Sequence, residues 1–198
     1  YDPLTYCVQY NETDLDFVQR LMERVGIFYF FEHAQGSHTM ILCDTVDSLS
    51  PAPGFEEIRY EESTTISLRD IDVITRVHRV DLAVTSDFAH TDYDFTKPSA
   101  DLAAVARTGQ AHSELAEFER YEYPGGYTEV GTGSDLASIR NEEDQGRAVR
   151  VRAVSNVPAP GCGSVFSLVE FPREAENDTY FIQAVTYDLS DGQYVSRP

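Results

Sequence analysis

NETDLDFVQRLMERVGIFYFFEH, residues 11–33, reads as a capped helix, a sharp stop and a strand. Thr13 takes the N-cap position, and Asp14 and Asp16 follow where the positive end of a helix favours carboxylates. Leu15, Val18, Met22 and Val25 recur at steps of three and four, and Phe17 and Leu21 widen that apolar face. Arg20, Glu23 and Arg24 are left for the wet side. Gly26 falls where the chain must leave the helix in a left-handed turn, a conformation glycine adopts without steric cost. Ile27 to Phe31 are five bulky residues in a row that cannot alternate between core and water, so this strand is expected to be covered on both faces.

Working outward, Leu4, Tyr6, Val8 and Tyr10 alternate as a strand would, residues 34–38 suggest a turn, and Thr39–Cys43 a further strand. Those elements predict an α+β unit with its helix on a small antiparallel sheet. Asp44–Ser63, with Pro51, Pro53 and Gly54, reads as a connector. From Thr64 the pattern turns to β, with Ile66 and Leu68, then Val73–Leu82, then Thr85–Phe95. Residues 99–122 read either as a short helix, with Leu102, Val105 and Ala106 at helical spacing, or as an irregular excursion. A turn at Tyr121–Tyr127 precedes a second helix over Ser134–Arg147, capped by Ser134, with a thin apolar edge of Leu136 and Ile139 and an otherwise solvated surface. Strands over 148–154, 165–171 and 180–189 end the chain. The expected organisation is an α+β unit from residues 1–63 and 99–147, interleaved with a β domain from 64–98 and 148–198.

Charge excludes one class of partner. With 34 acidic residues against 15 basic ones and a net charge of -19, the chain would repel a phosphate backbone, so no nucleic acid is expected. Cys7, Cys43 and Cys162 form no CxxC pair and suit a reducing compartment. No apolar run approaches the ~18 residues of a membrane span, so an integral membrane protein is not expected, and no signal-peptide pattern is visible. A chain beginning at Tyr1 without methionine suggests a piece of something larger. Among the histidines, His33 and His38 flank a turn, and a two-histidine site with Cys43 competes there with the plainer reading of solvated turn residues. There is no HExxH, GxSxG, P-loop or GxGxxG, and Gly131–Asp135 reads as a loop and cap. No catalytic residue, metal or cofactor is expected. Arg76, Arg79, Arg150 and Arg152 would make a modest basic strip if their two strands are neighbours.

The wording of the opening stretch narrows the reading further. Tyr10, Glu12, Thr13, Asp14, Phe17, Arg20, Leu21, Glu23, Gly26, Ile27, Tyr29, Phe31, Glu32 and His33 together closely resemble the VgrG family, the spike and hub proteins of bacterial type VI secretion machines. That family is similar to the hub proteins of contractile phage tails. Tyr93, Asp94, Phe95 and Pro98, then Pro124, Gly125 and Gly161, continue the resemblance, while a tryptophan common in the family's barrel is absent. The resemblance implies a tail-hub-like β-barrel interleaved with the α+β unit, and a structural role without enzymatic activity. It also implies a homotrimeric ring that joins a hexameric, Hcp-like tube protein to a puncturing needle, with a tip protein and effectors as cargo. Such a ring is assembled in the cytoplasm and then injected into target cells. The family's first barrel, its oligonucleotide-binding-like domain and its needle are not visible in the sequence. Alternatives are a phage-tail hub and, in another class, a cell-wall glycan hydrolase, which would need a carboxylate pair across a cleft.

Overall fold

The computed structural model describes residues 3–4, 6–62, 71–108, 118–158 and 160–188. The fold is mixed α+β, with a five-stranded sheet curled as half a barrel, two smaller sheets and two helices. Two compact units divide the chain, one from Tyr1–Phe28, Leu42–Asp44 and Val77–Ala153, the other from Tyr29–Ile41, Thr45–Arg76 and Val154–Pro198.

Helix α1 spans Asp14–Arg24 and starts as its cap residues dictate. Thr13 Oγ1 accepts the Asp16 amide at 3.2 Å, and the Asp16 carboxylate accepts the Thr13 amide at 3.3 Å, closing a capping box. Gly26 ends the turn at φ +74, with Ile139 Cγ2 3.0 Å from where a Cβ would stand. Strand β1, Phe28–Ala34, and strand β2, Ser37–Cys43, then pair across the two residues Gln35 and Gly36, a connection short enough only for antiparallel strands.

Two expectations fail at this end of the chain. Residues 6–10 form no strand, and Tyr6 and Tyr10 are each 85% exposed, because alternation makes a strand only where a partner supplies hydrogen bonds. The five bulky residues are also not covered on both faces. Phe28, Tyr29 and Phe30 are half-buried and Phe31 is exposed, since a two-stranded ribbon cannot cover both its faces.

The first unit is built on β5, Asp87–His90, which pairs antiparallel with β6, Ala104–Arg107, and parallel with β7, Glu119–Glu122. Residues 104–107 are thus neither helix nor irregular, and Leu102 and Ala104 are buried while Ala103 and Val105 are exposed, a period of two. Strand β5 stops at His90, short of Phe95, because aspartates turn the chain: Asp92 Oδ1 accepts the Tyr93 amide and Asp94 Oδ1 the Thr96 amide. Helix α2, Val130–Gln145, covers β5 and β6 and begins four residues before Ser134. Ser134 is therefore not its cap, and its hydroxyl donates to the Val130 carbonyl at 3.1 Å. Nor is α2 a solvated helix, because Gly133, Leu136, Ala137, Asn141 and Asp144 are buried. Phe88, Leu102, Ala104, Tyr127, Leu136 and Ala137 form the core of this unit.

The expected connector contains a strand of the five-stranded sheet, β3, Glu57–Tyr60, with Ile58 buried. It lies parallel to β4, Val73–Asp81, with Arg59 opposite Val73, and parallel to β9, Val165–Val169, with Ile58 opposite Leu168. Strand β10, Thr179–Phe181, pairs antiparallel with β9, and β8, Val149–Ser155, completes the order β10-β9-β3-β4-β8. No strand continues through 182–188, so β10 is much shorter than expected. The strand expected around Ile66 and Leu68 lies outside the described residues. Among the described residues, no helix is long and apolar enough to cross a membrane.

Candidate functional site

Arg20 is the hinge of the opening stretch. Its guanidinium donates to both carboxylate oxygens of Glu12, at 2.7–3.1 Å, and to the Val8 carbonyl at 2.8 Å, so one side chain ties the segment before α1 to the helix. Phe17 lies under the same guanidinium at 4.9 Å. The Arg20 hydrogen bond holds the Glu12 carboxyl below its ordinary range, and the Glu12 carboxylate in turn raises Arg20. Gln9 Nε2 donates to Asp14 Oδ1 at 2.7 Å. The arrangement orders a segment whose apolar side chains nonetheless remain outside: Tyr6, Tyr10, Leu15 and Val18 are all exposed.

The C-terminal end of α1 joins the turn at 124–127. Arg24 Nη2 donates to the Gly126 carbonyl, and Arg140 Nη1 reaches the Glu23 carbonyl at 3.5 Å. Asp92 Oδ2 accepts the amides of Gly126 at 2.5 Å and Tyr127 at 3.2 Å, and the Tyr123–Pro124 bond is cis. Tyr127 then enters the core, where its hydroxyl donates to the Leu102 carbonyl at 2.6 Å. Burial raises the pKa of that phenol. Its ring lies against Gly125 and Gly133, where a Cβ at either position would overlap it. His90, 4% exposed, has Nε2 at 2.7 Å from the Gly133 carbonyl.

The other residues of the motif lie apart. Ile27 and Tyr29 are half-buried and Leu21 lies on the half-buried side of α1, while Glu32, Tyr93, Phe95, Pro98 and Pro124 are exposed. A Cβ at Gly161 would meet nothing within 4 Å. His33 and His38 do meet across the hairpin, Nδ1 to Nδ1 at 2.7 Å, but Cys43 stands at the far end of β2, five residues from His38 and roughly 17 Å along an extended strand. Among the described residues, no group of three or more His, Cys, Asp or Glu could hold a metal ion. Strands β4 and β8 are neighbours, and Arg76, Arg79, Arg150 and Arg152 on them are exposed, with Arg79 paired to Asp81 at 2.8 Å.

Asp94 supplies a pH test of the turn. The Thr96 hydroxyl and amide, at 2.6 and 2.8 Å, hold its carboxyl below the ordinary range. A carboxylate depressed on folding contributes stability above its unfolded pKa, near 3.9, and that contribution is lost as pH falls through the lower folded value. Exchange of the Thr96 amide is therefore expected to be protected at pH 5–6 and to lose protection only below about pH 4. The same loss of protection below about pH 4 in Asp94→Asn, which keeps an acceptor oxygen but has no titrating carboxyl, would refute the assignment.

Comparison with known proteins places this architecture. The family model described as phage tail baseplate hub (GPD) matches residues 1–193. The chain is 34% identical over 194 residues to the type VI secretion system spike protein VgrG1b of Pseudomonas aeruginosa, covering 98% of this chain and 26% of that protein. It is 32% identical over 194 residues to VgrG1a of the same organism, covering 98% and 30%. The actin cross-linking toxin VgrG1 of Vibrio cholerae is 28% identical over 182 residues, covering 92% and 16%. The chain thus spans less than a third of the length of these relatives.

Proposed function

Because the chain belongs to the phage tail baseplate hub family, we propose that it is the hub segment of a type VI secretion spike. In this reading three copies form a ring that seats on a hexameric tube protein, carries a needle with its tip protein, and travels outward with effectors after assembly in the cytoplasm. The role is structural, with no catalytic step in these residues. The observation that carries the reading is the likeness to spike proteins over almost the whole chain, at 34% for one of them.

Physical features support it. Tyr6, Tyr10, Leu15 and Val18 near α1 and Phe31, Met40 and Leu42 on the hairpin are exposed, apolar side chains that a subunit interface would cover. Among the described residues the half-barrel sheet ends at β10 and β8, edges that further strands could cover. We take it as part of a tail-hub barrel that draws β4, β8, β9 and β10 from residues 64–98 and 148–198 and β3 from the expected connector, interleaved with an α+β unit from the rest of 1–63 and 99–147. Both compact units draw on separated stretches of chain, as interleaving requires.

A second reading, the hub of a phage tail or phage-like particle, is favoured by the family model itself. Absolute mass by light scattering is the deciding measurement, made on this chain and on one extended at both ends. A trimer of the extended chain that also co-sediments with assembled tube rings is expected. A monomer in both would overturn the ring. Recovery of the native protein from phage-like particles, and not from culture medium with the tube protein, would favour the second reading.

A further inference from the structure

A cavity of about 310 Å³ opens beside the 124–127 turn, within the first unit, and the function proposed above makes no use of it. Arg24, Arg140, His90 and Glu122 line it, with Gly125 and Gly126 as backbone wall. We propose that this cavity binds the carboxylate of a peptide.

His90 is the first reason. Its side chain is buried, and Nε2 faces the Gly133 carbonyl, which can only accept, so Nε2 carries the hydrogen. In the neutral imidazole Nδ1 is then left as an acceptor. No partner for Nδ1 stands among the described residues, and the ring forms part of the cavity wall, 3.2 Å from where a Gly125 Cβ would be. Nδ1 is not among the sealed polar atoms, so a ligand N–H can take the place of water on it.

The two guanidiniums are the second reason. Arg24 spends one nitrogen on the Gly126 carbonyl, and Arg140 spends one on Glu143 and the Glu23 carbonyl, which leaves the remaining N–H groups of each for a ligand. Two arginines at one cavity wall stand out on a chain of net charge -19. Guanidinium groups match a planar carboxylate in charge and in geometry. Glu122 on the same wall, although paired with Arg120, sets a limit: a doubly charged phosphate would face its carboxylate, whereas a singly charged carboxylate is better tolerated. A peptide residue offers both halves together, a carboxylate for the arginines and a backbone N–H for His90 Nδ1. The volume, at the lower end of ligand sites, suits a residue or two. A chain terminus and an acidic side chain share this chemistry.

The test is a titration of the full chain, with 15N-labelled histidine, by N-acetyl-alanyl-alanine, its C-terminal amide, and N-acetyl-aspartyl amide. Saturable binding of at least one of the two acids is expected, with a shift of the His90 Nδ1 signal, and at least tenfold weaker binding of the neutral amide. Whichever acid binds more tightly identifies the source as a terminus or a side chain. Arg140→Gln, at a half-exposed position, is expected to keep the native circular dichroism and to weaken the acids tenfold or more. Equal binding of acid and amide, binding indifferent to Arg140→Gln, or an unmoved His90 signal would each show that the cavity holds water only. None of these outcomes bears on whether the chain forms a trimer, so the two proposals fail separately.

Discussion

Phe88→Ala is expected to destabilise the first unit by about 3–5 kcal/mol, the largest loss from any single side chain in it. Phe88 is 0% exposed and lies at the centre of strand β5, where Leu102, Ala104, Tyr127, Leu136 and Ala137 complete the core. Those neighbours are fixed by the sheet and helix that carry them, so they refill the vacated space only in part, and the cavity term adds to the lost transfer energy. The ring also carries the Arg120 guanidinium at 5.4 Å, and Arg120 Nη1 binds both oxygens of Asp144 on α2 at 2.8 and 2.9 Å. Losing the ring therefore loosens the seat of an ion pair that ties β7 to the helix. Denaturant unfolding followed by tyrosine fluorescence would check this, and a loss below about 1 kcal/mol would mean the core is not organised around Phe88.

Gly163→Ala is expected to cost about 2–5 kcal/mol, as left-handed strain plus overpacking. Gly163 is buried with φ +88, and a Cβ there would fall within the ring of Phe30, a collision with a planar group and not with the far end of a flexible chain. Its amide also binds the Ile182 carbonyl at 3.0 Å, so the backbone is not free to retreat. The double variant Phe30→Ala with Gly163→Ala separates the two causes. Removal of the ring relieves the collision but not the φ, so the pair is expected to be non-additive, recovering roughly half of the summed loss. Strict additivity would show that Phe30 and Gly163 do not touch.

The contrast between Gly161 and Gly163 shows where residue patterns stop being informative. Gly161 belongs to the recognisable wording, yet a side chain there would meet open space, while Gly163 carries the packing constraint. Which of two nearby glycines is constrained depends on where Phe30 arrives, more than 130 residues earlier in the chain. His90 is a similar case. Nothing in its local sequence marks it as buried, and only the arrival of the Gly133 carbonyl 43 residues later gives Nε2 its partner and leaves Nδ1 facing the cavity.

Local signals were legible wherever the physics was local. Thr13, Asp16 and Gly26 begin and end α1 through contacts within a few residues, and the structure places both boundaries where the sequence does. The hairpin, the turn at 121–127 and strands β4, β8 and β9 follow from the same short-range rules. The resemblance of the opening stretch identified the family, and the comparison over residues 1–193 agrees.

Tertiary structure decided the remainder. Strand β3 has no periodicity longer than four residues and exists because β4 and β9 flank it on either side. Residues 6–10 alternate well but pair with no strand among the described residues. Helix α2 is the sharpest instance. Its buried residues are Gly133, Leu136, Ala137, Asn141 and Asp144, of which the apolar edge marked only Leu136, and the places of Gly133, Asn141 and Asp144 are specified by the Tyr127 ring, Thr108 and Arg120 that they receive. Amino-acid order alone determined the cap of α1, the turns and the family, because those depend on neighbours in the chain. It could not determine which faces are buried, because burial is a property of two surfaces and each sequence segment describes only one.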